Sequence, residues 1–249
     1  MKSTRIEPFA RHHRRYDDWF ERHRSAYLSE LLAVRALLPW DGRGLEIGVG
    51  TGRFAAPLGV EFGIDPAGEM LEYARDRGIR VVRAVAEALP FGPAAFDLVT
   101  SFDVLYHRWV TDDRAAVCEL ARVLAPGGLL LVRVPALKML WGAHDDAVLS
   151  RHRYTRGEVE TLLRGAGLDV LELTYANTLL FPVLALRRAL DRLTGRHGSD
   201  VSFLPAPVEA AFLGLLRAEA RLVRHLRLPI GASVLALARK PRGAGTIAP

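Results

Sequence analysis

The stretch Leu45-Glu46-Ile47-Gly48-Val49-Gly50-Thr51-Gly52 constrains this chain more than any other: an apolar strand end breaks into three alternate glycines and then into helical spacing. Glycine has no Cβ, so the backbone there can take left-handed angles and come close to a ligand. A turn from strand into helix also aims backbone N–H groups at whatever lies in front of it. Such a turn belongs to an open α/β sheet that binds a nucleotide-type ligand. The next apolar segment, Glu61-Phe62-Gly63-Ile64, ends in Asp65, the place from which a carboxylate grips both ribose hydroxyls.

The chain around this turn has the matching rhythm. Residues 9–38 carry helical apolar spacing through Tyr16, Trp19, Phe20, Tyr27, Leu31, Leu32 and Val34, which Pro39 and Gly42 stop. Strand segments at 44–47, 61–64, 81–84, 98–101 and 129–134 then alternate with helical segments at 52–58, 67–77 and 112–124. Alternation with short connections predicts a parallel sheet with helices on both faces. Right-handed crossovers put the ligand crevice at the carboxyl ends of its strands. Beyond these come a helix at 155–165, a strand at 168–174, helical stretches at 179–193 and 207–226, and a last strand at 233–239. With 249 residues and 50% hydrophobic content, one domain accounts for the whole chain. It divides into cap helices (1–42), a ligand-binding core (43–175), a helical insertion (176–230) and the last strand (231–240), with a frayed tail from 241.

Several classes drop out on composition. Cys118 is the only cysteine, which excludes an intramolecular disulfide and a thiolate metal cluster and fits a reducing compartment. Residues 1–21 are rich in Arg and His and lack the apolar centre of a secretory signal. The longest apolar run, 178–186, contains Pro182 and stops at Arg187 and Arg188, short of the roughly 20 residues that span a bilayer. A cytoplasmic location is expected. The net charge of +6 comes from arginines spread along the chain, with Lys2, Lys138 and Lys240 the only lysines, so no nucleic-acid partner is expected.

The glycine spacing separates two ligand classes. A dinucleotide fingerprint, G-x-G-x-x-G, wants its third glycine at position 53, and that residue is Arg53. The spacing G-x-G-x-G, with Glu46 two residues ahead, resembles motif I of the class I S-adenosylmethionine-dependent methyltransferases. The resemblance continues through Gly63-Ile64-Asp65-Pro66 followed by Met70, and through Ala86-Glu87-Ala88-Leu89-Pro90-Phe91. It then runs through Phe96-Asp97-Leu98-Val99 with Asp103-Val104-Leu105-Tyr106-His107, and Leu120-Ala121-Arg122-Val123-Leu124-Ala125-Pro126-Gly127-Gly128, covering 44–134. It implies a Rossmann-like sheet of seven strands with helices on both faces, N-terminal capping helices and a helical insertion before the last strand. S-adenosylmethionine is the implied cofactor and S-adenosylhomocysteine the product. Glu46, Gly48, Gly50, Gly52, Asp65, Pro66, Met70, Ala86, Glu87 and Phe102, with Tyr16 from the cap, are the implied cofactor contacts.

Two departures matter. Val85 stands where many relatives place an acid on the adenine amine, which leaves adenine to backbone groups of Ala86 and its neighbours. Tyr106 stands where some quinone-pathway relatives carry Glu, so no metal is expected. The first ninety residues resemble an uncharacterised group related to quinone-pathway methyltransferases. Trp141, His144-Asp145, His152-Arg153-Tyr154-Thr155 and the run from Tyr175 to Pro182 are instead similar to a subgroup associated with glycosyltransferases.

Methyl transfer from a sulfonium is an in-line displacement, for which orientation supplies much of the rate. The expected acceptor is an oxygen or nitrogen of a small hydrophobic metabolite, glycosylated or lipid-linked forms included. A histidine with a near-neutral pKa can take a hydroxyl proton, and His107 and His144 are the candidates, each with a backbone-bonding role as the plainer reading. Trp19, Trp141, Arg153, Tyr154 and Asn177 are candidate acceptor contacts, with core packing or a helix-entry salt bridge the alternative for Trp19, Arg153 and Tyr154. Between 209 and 226, Phe212, Leu215, Leu216, Leu222 and Leu226 oppose Arg217, Arg221 and Arg224, which leaves a peripheral membrane contact open beside ordinary packing. Two other functions stand against the main one: an NAD(P)-dependent oxidoreductase, disfavoured by Arg53, and a binding protein that keeps the fold without turnover. Oligomeric state is not legible.

Overall fold

In the computed structural model, strands β1 (Gly44–Ile47), β2 (Phe62–Asp65), β3 (Arg80–Arg83), β4 (Phe96–Phe102), β5 (Leu124–Pro135), β6 (Asp169–Ala176) and β7 (Ser233–Arg239) form one sheet in the order β3-β2-β1-β4-β5-β7-β6. The residues described are 24–38, 43–194, 214–219, 221 and 226–242. β7 runs antiparallel to β5 and β6, and the other neighbours are parallel. The chain leaves β1 toward β2 on one side and returns to β4 on the other, so the carboxyl end of β1 is the switch point where an open sheet leaves a crevice.

Helices cover both faces, as the periodicity predicts. Leu130, Val132 and Val134 of β5 pack with Ala116, Val117 and Leu120 of α4 (Asp113–Val123) and with Val159 and Leu163 of α6 (Arg156–Gly165). One residue out of phase, Leu131 faces the other side, where Leu31, Val34 and Leu37 of α1 (Arg24–Leu37) close over Phe54, Phe102, Leu235 and Leu237. The period of two along the strand and the i, i+3, i+6 stripe on α1 are what let one chain fill two cores. α2 (Ala55–Leu58) and α3 (Gly68–Asp76) complete the second face through Ala55, Leu71 and Ala74.

Some boundaries differ from the sequence reading for identifiable reasons. α2 is shorter than the expected 52–58, because Gly52 at φ 82° holds the turn out of helix and Gly59 at φ 73° ends it. β5 begins at Leu124, five residues early: Leu124 pairs with Phe96, and a register shift then absorbs Pro126-Gly127-Gly128 before Leu129 pairs with Leu98. A 3-10 turn (Lys138–Leu140) and α5 (Ala143–Ala147) were not foreseen. Asp145 stabilises the latter by accepting from the Gly142 N–H at 2.9 Å.

α7 (Phe181–Thr194) leaves Val183, Leu186, Leu190 and Leu193 exposed. Residues 214–219 are helical within the expected 207–226 segment. There the buried Glu219 accepts the N–H groups of Thr178 and Leu179 at 3.1 and 2.8 Å, ahead of α7. Among the described residues no helix is long and apolar enough to cross a membrane.

Candidate active site

The glycine turn is built from left-handed backbone. Gly48, Gly50 and Gly52 have φ of 69°, 52° and 82°, angles that cost a residue with a Cβ. The turn is tied to β2 by Val49 N–H on the Ile64 carbonyl at 2.9 Å, and it closes on itself through Gly52 N–H on the Val49 carbonyl at 2.8 Å. Asp65, at the end of β2, accepts from Gly50 N–H at 3.0 Å and from Ala67 N–H at 2.8 Å. Burial pushes its carboxyl up to about 6, against the pull of those two amides.

Gly48, Gly50, Asp65, Pro66, Met70, Ala86 and Phe102 line a cavity in front of this turn. The sequence reading missed its apolar walls, chiefly Val85, Val104, Trp109 and Val110. Val85 had left a signal: an apolar residue replacing an acid at a ligand-facing position implies an apolar contact there.

Three expected contacts stand behind the cavity. Gly52 is needed for packing, since a Cβ there would fall 2.5 Å from Ile79 Cδ1 and 3.2 Å from Ala74 Cα. Glu87 accepts from Thr111 N–H at 2.8 Å and braces the loop that carries Trp109 and Val110. Glu46 is buried within β1, its Oε2 has no hydrogen-bond partner among the described residues, and burial drives its carboxyl well above the usual range, against the attraction of Arg133. Tyr16 and Trp19 lie outside the described residues.

A second cavity opens beyond the carboxyl ends of β4 and β5. Its polar lining comes from Glu30, Asp103, His144, Asp145, Arg153 and Arg188, interleaved with Tyr106, Leu140 and Leu184. Arg153 is held by Asp145 Oδ1 at 2.8 Å and the Ala136 carbonyl at 2.9 Å, and Arg188 Nε donates to the Leu140 carbonyl at 3.0 Å. Behind the wall, Arg133 of β5 sets its buried guanidinium between Glu30 of α1, at 2.9 Å, and Asp103. Burial alone would lower its pKa; the two carboxylates more than offset that and keep it charged. Neither Arg133 nor Asp103 was singled out from the sequence. A lone cation inside the apolar run 129–134 was the available signal, because a buried charge must have partners.

His107 lines the first cavity without being a poised base. Nδ1 donates to the Val148 carbonyl at 3.0 Å, and the ring lies between Tyr106 and Trp109 with centroids 4.1 and 3.8 Å away. Burial lowers its pKa to about 3, so the imidazole expected to titrate near neutrality is a neutral packing element. Tyr154 is corrected as well: it is 1% exposed, its hydroxyl 2.8 Å from Asp113 Oδ2 and 3.1 Å from the Leu105 carbonyl, a strut rather than an acceptor contact. Trp141 donates to Asp146 Oδ1 at 3.2 Å and lines a separate depression with Asp191 and Arg192. Asn177, at φ 59°, turns the chain from β6 toward α7 and lines neither cavity. Of the expected acceptor-side residues, His144 and Arg153 share the second cavity. Among the described residues no group of three or more His, Cys, Asp or Glu is placed to hold a metal ion.

Residues 45–132 match the family described as "Methyltransferase domain". The malonyl-[acyl-carrier protein] O-methyltransferase of Methylococcus capsulatus is 33% identical over 189 residues, covering 68% of this chain and 68% of that protein. A Methanocaldococcus jannaschii protein without assigned function is 39% identical over 126 residues, or 51% of this chain. The chain spans 60% of that relative's length and 58% of matching Mycobacterium tuberculosis proteins. Among solved structures, a SAM-dependent methyltransferase of Thermotoga maritima, described as a possible histamine N-methyltransferase, superposes with a TM-score of 0.65 at 29% identity, covering 94% of this chain and 98% of that one.

Proposed function

The chain belongs to the class I S-adenosylmethionine-dependent methyltransferases, with S-adenosylmethionine as cofactor, and from that premise we propose that it methylates an oxygen or nitrogen of a small polar molecule held in the second cavity. The charged residues of that lining favour a polar acceptor over the hydrophobic one expected from the sequence. The dinucleotide alternative falls with the family.

Asp65 carries this reading. A carboxylate offers about four acceptor positions, and two backbone amides occupy two of them. The remainder suit a pair of ribose hydroxyls, while Met70, Val85 and Val110 offer apolar walls to a flat base. Once bound, the cofactor supplies a methyl group on a sulfonium, open to in-line attack. The protein's part is to orient that methyl toward the second cavity and to hold the acceptor there.

Calorimetric titration with S-adenosylhomocysteine tests the site. Asp65→Ala is expected to weaken binding at least tenfold, about 1.4 kcal/mol, by loss of charge-assisted contacts; an unchanged affinity would take Asp65 out of it. Affinity should also fall as pH drops through about 6, where the carboxyl protonates, and this dependence should vanish in Asp65→Asn. Stability moves the other way. The folded-state pKa lies above the ordinary carboxylate value of 3.8, so burying the charge costs stability above pH 6, and that cost is relieved as pH falls between the two values.

Turnover separates an enzyme from a binding protein of the same fold. Methyl-labelled cofactor offered with histamine, and separately with a malonyl thioester, probes the nitrogen and oxygen acceptors that two relatives' names suggest.

A further inference from the structure

Asp103 is the one residue, among those described, that lines both cavities. It follows directly on β4, at φ 55°, a left-handed angle that Asp tolerates better than most residues but that still costs energy. The surroundings impose it: its N–H donates to the Arg133 carbonyl at 2.9 Å, and its carboxylate is paired with the Arg133 guanidinium. Arg133 is in turn braced from α1 by Glu30 at 2.9 Å. Two carboxyl groups thus share one guanidinium where the two cavities meet. The Asp103 side chain keeps 34% of its surface exposed, so the carboxylate is clamped without being covered.

The other ionisable groups nearby are less well placed. Asp145 is 2% exposed and engaged by Arg153 and Gly142 N–H. His107 is spent on Val148 and on ring packing, and His144 reaches only the second cavity.

We propose that Asp103 holds the nucleophilic atom of the acceptor and receives its proton, so that the acceptor presents an N–H or O–H rather than a carbon nucleophile; this rests on the methyl-transfer reading above. The acceptor's lone pair forms the new N–CH3 or O–CH3 bond, and the C–S bond breaks with its electron pair left on sulfur as a neutral thioether. The proton released from nitrogen or oxygen goes to the Asp103 carboxylate and from there to water. A clamped carboxylate suits the task because its direction is set before the acceptor arrives.

The test needs no knowledge of the acceptor. Sinefungin carries an amine where the cofactor carries its S-methyl group, and S-adenosylhomocysteine carries nothing there. In Asp103→Asn, which tolerates φ 55° and is nearly isosteric, sinefungin affinity should fall about tenfold or more, while S-adenosylhomocysteine affinity changes by less than about threefold. Should that variant not fold, Asp103→Gly, suited to the same backbone angle, gives the same comparison. Equal losses for both ligands, or no loss for sinefungin, would overturn the proposal. Failure of the wild-type protein to bind either ligand would sink the cofactor site itself, and this inference with it.

Discussion

Arg133→Met is expected to lower folding stability by about 3 kcal/mol, and the melting temperature by roughly 6–12 °C, in urea and thermal unfolding. The substitution preserves most of the volume inside β5 while leaving Glu30 and Asp103 facing each other without their shared cation. Removing one partner of a buried ion pair costs about 3–5 kcal/mol. The lower end applies here because the two carboxylate side chains retain 24% and 34% of their exposure and are partly screened by solvent. The mechanism has a signature. Carboxylates that lose a cation have folded-state pKa values raised above their unfolded ones, so the deficit is full at neutral pH and shrinks as pH falls through the carboxylate range. A deficit independent of pH would mean that packing around the guanidinium, including its 5.1 Å approach to the Phe54 ring, matters more than charge.

Gly48→Ala should cost about 2–5 kcal/mol and reduce S-adenosylhomocysteine binding severely. An L-residue at φ 69° carries a penalty of about 1–2 kcal/mol. The added Cβ would also lie 2.3 Å from Val104 Cγ2, and overpacking of this kind adds about 1–3 kcal/mol. Val104 is β-branched and stiff, and it lines the first cavity, so relief of the overlap comes at the expense of space there. Adding Val104→Ala to Gly48→Ala separates the two contributions: the overlap is relieved and the backbone penalty stays, giving non-additive stabilities in a double-mutant cycle. Strict additivity would show that the two residues do not collide.

The legible part of this molecule was what short stretches of chain determine. Three glycines after an apolar strand could be read as a left-handed turn because only glycine takes those angles cheaply, and the structure has all three at positive φ. The alternation of periods located every strand of the sheet, including Ser233–Arg239 to the residue. Asp65 was legible because it closes the strand after the turn, and a fixed crossover brings that strand beside the first. Val85 and Tyr106 were legible as departures, and they now line the first and the second cavity respectively.

Misread residues share a different property. Tyr154 and His107 have side chains suited to chemistry, and nothing local distinguishes a free imidazole from one stacked on Trp109 and bonded to the carbonyl of Val148, 41 residues away. Burial lowers the pKa of that histidine and raises that of Glu46, and burial belongs to the packed molecule rather than to neighbours in sequence.

From the sequence alone came the sheet and its crevice, since these follow from backbone freedom and apolar period within about ten residues, while the kind of ligand came from the family resemblance. Only the tertiary structure decided which polar groups meet: Glu30, Asp103 and Arg133 come from α1, the end of β4 and β5 and converge on one guanidinium. Their pairing depends on helix docking and strand register, long-range contacts that no local pattern records.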